Sequence, residues 1–336
     1  RGEYRAAAAA YEALLADWPE ADGHARAAVL QNASIAVTYL GDYERALSWY
    51  LQSLDAARVI SSVDLEARAL QGLGNVHLLL GQPQLAIEHL REALRVLERL
   101  GDRMPQVHAR NALGDALLAA GDREAALREQ RAALRLLGDG GAREARGRVL
   151  VSLGATEAAF GRQQQAAVLF SAALSPELPM AAGVALRARY GRAQAWARLG
   201  RVPEARAELD ALVSTAQAEF LPDHEALALG LRAQLRRDVG DRQGALSDSA
   251  AALAALDRLT VGTTNQDNRV TLARRTRELL ELRVDLLADN GETLAALQAL
   301  DLHGARSAWT SGVAFERARP DSAREEPLAQ RRYRPD

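Results

Sequence analysis

The chain has 336 residues, nearly half of them apolar, and its 42 basic and 44 acidic residues leave a net charge of −2. That balance excludes a general nucleic-acid binder, which needs a basic surplus to release phosphate counterions. All the basic residues are arginine and cysteine is absent, so P-loop and Schiff-base lysines, thiol nucleophiles, disulfides, thiolate zinc sites and iron–sulfur clusters are excluded together.

Alanine and leucine supply most of the apolar fraction and aromatics are few, a helix-forming composition. Exclusive use of arginine fits the coding bias of a GC-rich bacterial genome. No apolar run approaches the roughly 20 residues needed to span a bilayer, and no signal-like segment opens the chain. A cytoplasmic location without a membrane partner is the default expectation. Beginning at Arg1, the chain reads as an excised piece of a longer protein.

In chain order, a glycine followed five residues later by alanine recurs at Gly2, Gly41, Gly81, Gly121, Gly161, Gly200 and Gly240, with spacings of 39, 40, 40, 40, 39 and 40. A period in this range marks a solenoid of stacked units. Each unit reads as a helix A of about 13 residues, a tight turn at the glycine and a helix B of similar length. The turn glycine suits a left-handed helix end, and Pro83 and Pro203 fit the first turn of helix B. Because Gly2 holds the turn position, the first unit is expected to be present only as its helix B, followed by six helix pairs over residues 1–256.

Seven residues before each glycine stands a small residue: Ser34, Gly74, Gly114, Gly154, Ala193 or Ala233. Together with the helix-B alanine it lets the two helices approach closely. Nine residues after the glycine come Tyr11, Tyr50, Leu90, Phe170 and Leu209, knobs expected to pack toward the next unit. Gln130 and Ser249 break that series, which predicts looser packing in their units.

After Ala255 the register drifts. The next turn glycine, Gly291, lies 51 residues beyond Gly240, so residues 257–310 are expected to form a modified helical pair. Residues 311–336 are charged and proline-containing without an apolar face, the composition of a flexible tail or linker.

Small residue, turn glycine, helix-B alanine and aromatic or leucine knob, then Ala93, Ala133, Ala173 and Ala252 near the helix end, together resemble the tetratricopeptide repeat. The unit is longer than the common form of 34 residues, and the extra residues are expected between helix B and the next helix A. The resemblance implies an all-α superhelix that binds proteins or peptides without catalysis. Residues 268–309, ending in HGARSAW, resemble the segment that precedes CHAT domains, the caspase-like modules of bacterial repeat proteins. That implies the recognition or regulatory arm of a TPR-CHAT protease, whose His and Cys would lie beyond Asp336. The alternative is the ligand- or peptide-sensing region of a bacterial transcription regulator or signalling ATPase.

In the tetratricopeptide family helix A lines the concave face, which directs attention to the residues ten, six and thirteen before each glycine, one face at helical spacing. The first row holds Gln31, Gln71 and Asn111, then Val151 and Tyr190. The second holds Ile35, Asn75, Asp115, Ala155, Gln194 and Gln234, and the third Arg68, His108, Arg148 and Arg187. Amides donate and accept at once, so such a ladder can hold the backbone of an extended peptide. The basic row suits acidic ligand groups or a terminal carboxylate. A solvated helix face accounts for the same residues.

No cofactor or metal is expected. The six histidines form no HExxH pattern, the glycine-rich GDGGA at 138–142 lacks the Lys-Ser/Thr of a phosphate loop, and the four tryptophans are too scattered for a base-stacking platform.

Overall fold

The computed structural model describes residues 2–16, 18, 23–138, 142–178, 180–260 and 266–299, without the side chains of 260 and 266–275. The tail expected over 311–336, the HGARSAW motif and the centre of GDGGA lie outside these residues. Among the described residues the secondary structure is helical throughout. A single helix, α1 (Gly2–Ala16), is followed by six antiparallel pairs: α2 (Gly23–Leu40) with α3 (Tyr43–Val59), α4 (Val63–Leu79) with α5 (Pro83–Leu100), α6 (Arg103–Ala119) with α7 (Arg123–Leu137), α8 (Arg143–Ala159) with α9 (Gln163–Ala173), α10 (Ala182–Arg198) with α11 (Val202–Ala218), and α12 (Pro222–Asp238) with α13 (Arg242–Thr260). A longer helix, α14 (Gln266–Asp289), packs on α13, and a further helical stretch occupies 293–299. Each helix packs on its neighbours in sequence and each helix A on the next helix A, the arrangement of an α-α superhelix. No helix among the described residues is long and apolar enough to cross a membrane.

Helix A is 17 or 18 residues long throughout, not about 13. The long period is therefore absorbed mainly within the helices. Connections from helix B to the next helix A are as short as Gly101 and Asp102, in place of the expected insertion there.

The turn glycines at 41, 81, 121, 161, 200, 240 and 291 all have positive φ, between 70° and 88°. At each, two backbone bonds close the helix A terminus. In the α2–α3 turn Gly41 N–H donates to Thr38 at 3.0 Å and Asp42 N–H donates to Val37 at 2.9 Å. This paired bonding, a Schellman end, satisfies carbonyls that the helix terminus would otherwise orphan.

The packing devices converge on one contact. The helix-B alanines 46, 86, 126, 166, 205 and 245 are fully buried. A β-carbon at Gly74 would stand 2.5 Å from Cγ of Leu90, and one at Gly154 would stand 2.8 Å from Phe170, so in these units the knob rests on the small residue of its own helix A. Knobs also reach onward: Tyr50 fills the space at Gly72 and Phe170 the space at Gly191, both on the following unit. Gln130 and Ser249 do not loosen their units. Both are fully buried, and Gln130 occupies the knob position against Gly114 while its amide makes hydrogen bonds that leucine could not.

Candidate functional site

Two cavities lie along the face made by successive A helices. The narrower, about 300 Å³, is lined by Gln71, Asn75 and Leu78 of α4, Val107, His108, Asn111, Ala112 and Asp115 of α6, and Ala145, Arg148 and Val149 of α8. The wider, about 750 Å³, continues through Asp115 and Leu118 of α6, Val151, Ser152 and Ala155 of α8, Arg187, Tyr190, Gln194 and Arg198 of α10, and Asp223, His224 and Leu227 of α12. Leu78 and Asp115 belong to both, so the two form one trough. Helix B contributes only Phe170 and Leu212 to it.

The helical repeat explains why these residues converge. Side chains three and four apart share one face, and the same offsets in consecutive units bring the faces side by side. Gln71, Asn75, His108, Asn111, Asp115, Arg148, Arg187 and Gln194 all reach the trough. Four residues of the expected rows line neither cavity, the exposed Ile35 among them. Gln31 is buried, and its amide donates to the Leu65 carbonyl at 2.7 Å, tying α2 to α4. Arg68 is exposed and pairs with Asp64 one turn away at 3.1 Å. Gln234 borders a narrower crevice of about 90 Å³ beside α14, which meets the wider cavity at Tyr190 and Leu227.

A polar network holds the junction of the trough. Asn111 Nδ2 donates to Ser152 Oγ at 3.2 Å, Gln130 Nε2 donates to Asp115 Oδ1 at 3.2 Å, and Thr156 Oγ1 donates to Gln130 Oε1 at 2.8 Å. Burial pushes the Asp115 carboxyl up to about 6, against hydrogen bonds from Ser152 and Gln130 and the field of Arg187, all of which favour the charged form. Since Ser152 donates to Asp115, its oxygen accepts from Asn111, and this direction fixes the Asn111 amide. Its Oδ1 is left buried without a hydrogen-bond partner among the described residues.

In the narrower cavity Arg148 Nη2 approaches His108 Nε2 at 3.3 Å. A guanidinium can only donate, so Nε2 accepts and Nδ1 carries the proton. Burial, then the Arg148 charge, hold His108 below its ordinary value, so the ring is neutral at physiological pH. In the wider cavity Asp223 lies 3.1 Å from His224 Nδ1.

The rows at ten, six and thirteen before the glycine missed Arg198, Asp223 and His224, and Ser152 was not singled out. The signal for the first three was present. Arg198 stands two before Gly200, and Asp223 and His224 stand seventeen and sixteen before Gly240, one helical turn beyond either end of the rows.

Residues 65–139 match the tetratricopeptide repeat family. No curated protein sequence matches the chain. Among solved structures, the chain is similar to a Rap protein complexed with competence and sporulation factor, with a TM-score of 0.64 and 12% identity over 87% of this chain and 77% of that one. NprR in complex with its cognate peptide NprX matches with a TM-score of 0.56 and 16% identity, covering 78% of each chain. A signal transduction ATPase with a tetratricopeptide repeat sensor, from Pyrococcus horikoshii, gives 0.61 and 11% identity over 91% of this chain but only 45% of its own. At such identities the likeness is one of fold, and the fold is a tetratricopeptide-type solenoid.

Proposed function

We propose that the chain is a non-catalytic scaffold that binds an extended peptide or protein segment in the trough, as the sensing or regulatory arm of a larger protein. The observation that carries this reading is the trough itself, continuous across α4 to α12 and supplied almost wholly by A helices. At its junction Asn111 lines the cavity, and its Oδ1 has no hydrogen-bond partner among the described residues. Such an acceptor is costly to leave unused, and a side-chain rotation toward the cavity would pair it with a peptide N–H.

Two of the similar structures are complexes with the competence and sporulation factor and with the peptide NprX, and a third is a sensor-bearing ATPase. They support the sensing reading over the CHAT-protease arm, whose motif residues at 303–309 lie outside the described structure. In this reading the array over residues 1–256 does the binding, and residues 257–310 modify its end.

The test is selection of displayed peptides on the full chain, followed by titration calorimetry on Asn75→Ala and Asn111→Ala. Affinity for a selected peptide is expected to fall about tenfold for Asn111→Ala, the loss of one buried hydrogen bond. Unchanged affinity in both variants rules the trough out as the binding surface.

A further inference from the structure

The four arginines of α10 divide into two kinds. Arg189 and Arg192 turn to Glu208 of α11, at 3.9 and 2.6 Å. Arg187 and Arg198 instead line the wider cavity, are exposed, and form no salt bridge among the described residues. They share one stripe of the helix with Gly191 and Gln194, so the cavity wall carries a cation at each end. Across from them Asp223 faces His224 at 3.1 Å, which leaves Asp115 as the other acidic group of the lining. Two unpaired guanidiniums in a concave site point to an anionic occupant, since they hold carboxylates bidentately and cost little to desolvate.

Resting on the peptide-binding reading, we propose that the wider cavity takes an acidic peptide segment with carboxylates seated on Arg187 and Arg198, and that binding draws one proton onto Asp115. The two arginines stand eleven positions apart, about 16 Å along the helix. That is the reach of about five residues of extended chain, so the paired acids stand four or five positions apart.

The proton follows from electrostatics. Arg187 supplies the field that favours ionised Asp115 at a site where burial opposes the charge. A ligand carboxylate on Arg187 cancels that field, and a second anion nearby penalises the Asp115 charge further, so an Asp115 oxygen takes a proton from solvent. Binding therefore tightens as pH falls toward about 6, the value of Asp115 in the free protein, and levels off below it. Around Asp115, α10 presents Arg187 and α8 presents Arg148 and the neutral Ser152. Helix α7 presents the neutral Gln130, α4 presents Leu78, and His108 precedes Asp115 on its own helix, with Asp223, His224 and Arg198 farther along the cavity. His108, held below its ordinary value by burial and Arg148, also responds to pH, so Asp115→Asn isolates the Asp115 contribution.

Random twelve-residue peptides displayed on phage are selected on the full chain at pH 6.0, and synthetic versions are titrated at pH 6.0 and 7.5 against wild type, Arg187→Gln/Arg198→Gln and Asp115→Asn. The expected result is enrichment in Asp and Glu, at least tenfold weaker binding to the double variant, and tighter binding at pH 6.0 that Asp115→Asn diminishes. Both arginines are exposed, and unchanged circular dichroism confirms that the double variant folds. Neutral or basic peptides that still depend on Asn111 overturn this inference while leaving the trough as the binding surface. Acidic peptides indifferent to the double variant, or a pH dependence that survives Asp115→Asn, also overturn it. A selection that returns nothing overturns the peptide-binding reading along with it.

Discussion

Gly74 has no room for a β-carbon, because Cγ of Leu90 would lie 2.5 Å from it and both residues are fully or almost fully buried. Gly74→Ala is therefore expected to destabilise the protein by about 1–3 kcal/mol, the usual cost of overpacking a core, read as a lower denaturation midpoint. Gly81→Ala acts by another route: the space there is open, but φ is +70°, so the cost is backbone strain. The small-residue and knob positions were legible in the sequence because each is a steric demand repeated unit after unit. Gln130 was legible only as an exception. A pattern of sizes shows that a knob has changed but not that its amide finds Asp115 and Thr156, since those partners stand 15 and 26 residues away and meet it only in the folded array. Asp115 illustrates the same limit: its place on the trough follows from its offset, whereas its raised pKa comes from surroundings that no offset encodes.

The helices themselves carry a second lesson about spacing. A 40-residue period is compatible with short helices and long connections or with long helices and tight ones, and glycine marks only one of the two turns in each unit. The other turn lacks a fixed sequence signal. Gly101 takes a left-handed conformation there after α5, but after α3 and α11 the same role falls to Ser61 at φ 56° and Phe220 at φ 54°. The backbone bonds match those of the glycine turns, with Leu221 N–H donating to Ala216 at 2.8 Å and Ser62 N–H to Ala57 at 2.8 Å. A residue with a β-carbon in this region costs roughly 1–2 kcal/mol, and Phe220 recovers little by packing because it is 89% exposed. Phe220→Gly is thus expected to raise stability by up to about 1 kcal/mol, the strain relieved less the added chain entropy of glycine. Thermal denaturation of the two proteins side by side checks it, and a lower midpoint in the variant would mean that Phe220 makes a contact absent from the isolated chain.

At the scale of the whole molecule, a solenoid communicates only through adjacent units, so damage at one end is expected to stay there. Arg232 offers the means to test this. From α12 its Nε and Nη2 hold both oxygens of buried Asp248 at 2.8 and 2.7 Å, and its Nη1 reaches Asp210 of α11 at 2.7 Å, so one side chain ties three successive helices together. Hydrogen bonding to Asp248 raises the Arg232 pKa above its already high value, and the group stays charged at every accessible pH. Arg232→Met keeps the stem but removes the fork, leaving Asp248 with Arg236 at 3.2 Å as its remaining cation. Removing one partner of a buried pair costs about 3–5 kcal/mol, and the surviving contact lowers that to about 2–4 kcal/mol. A globular core would spread the loss over all its amides. Here amide hydrogen exchange is expected to quicken in α11 to α13 by about 1.5 to 3 orders of magnitude, the kinetic equivalent of that free energy, while α4 to α7 exchange at wild-type rates. Uniform acceleration along the chain would show instead that the array unfolds as one cooperative body. A ligand seated at α10 and α12 would then be felt as far as α2, whereas a localised response confines its effect to the units it touches and their immediate neighbours.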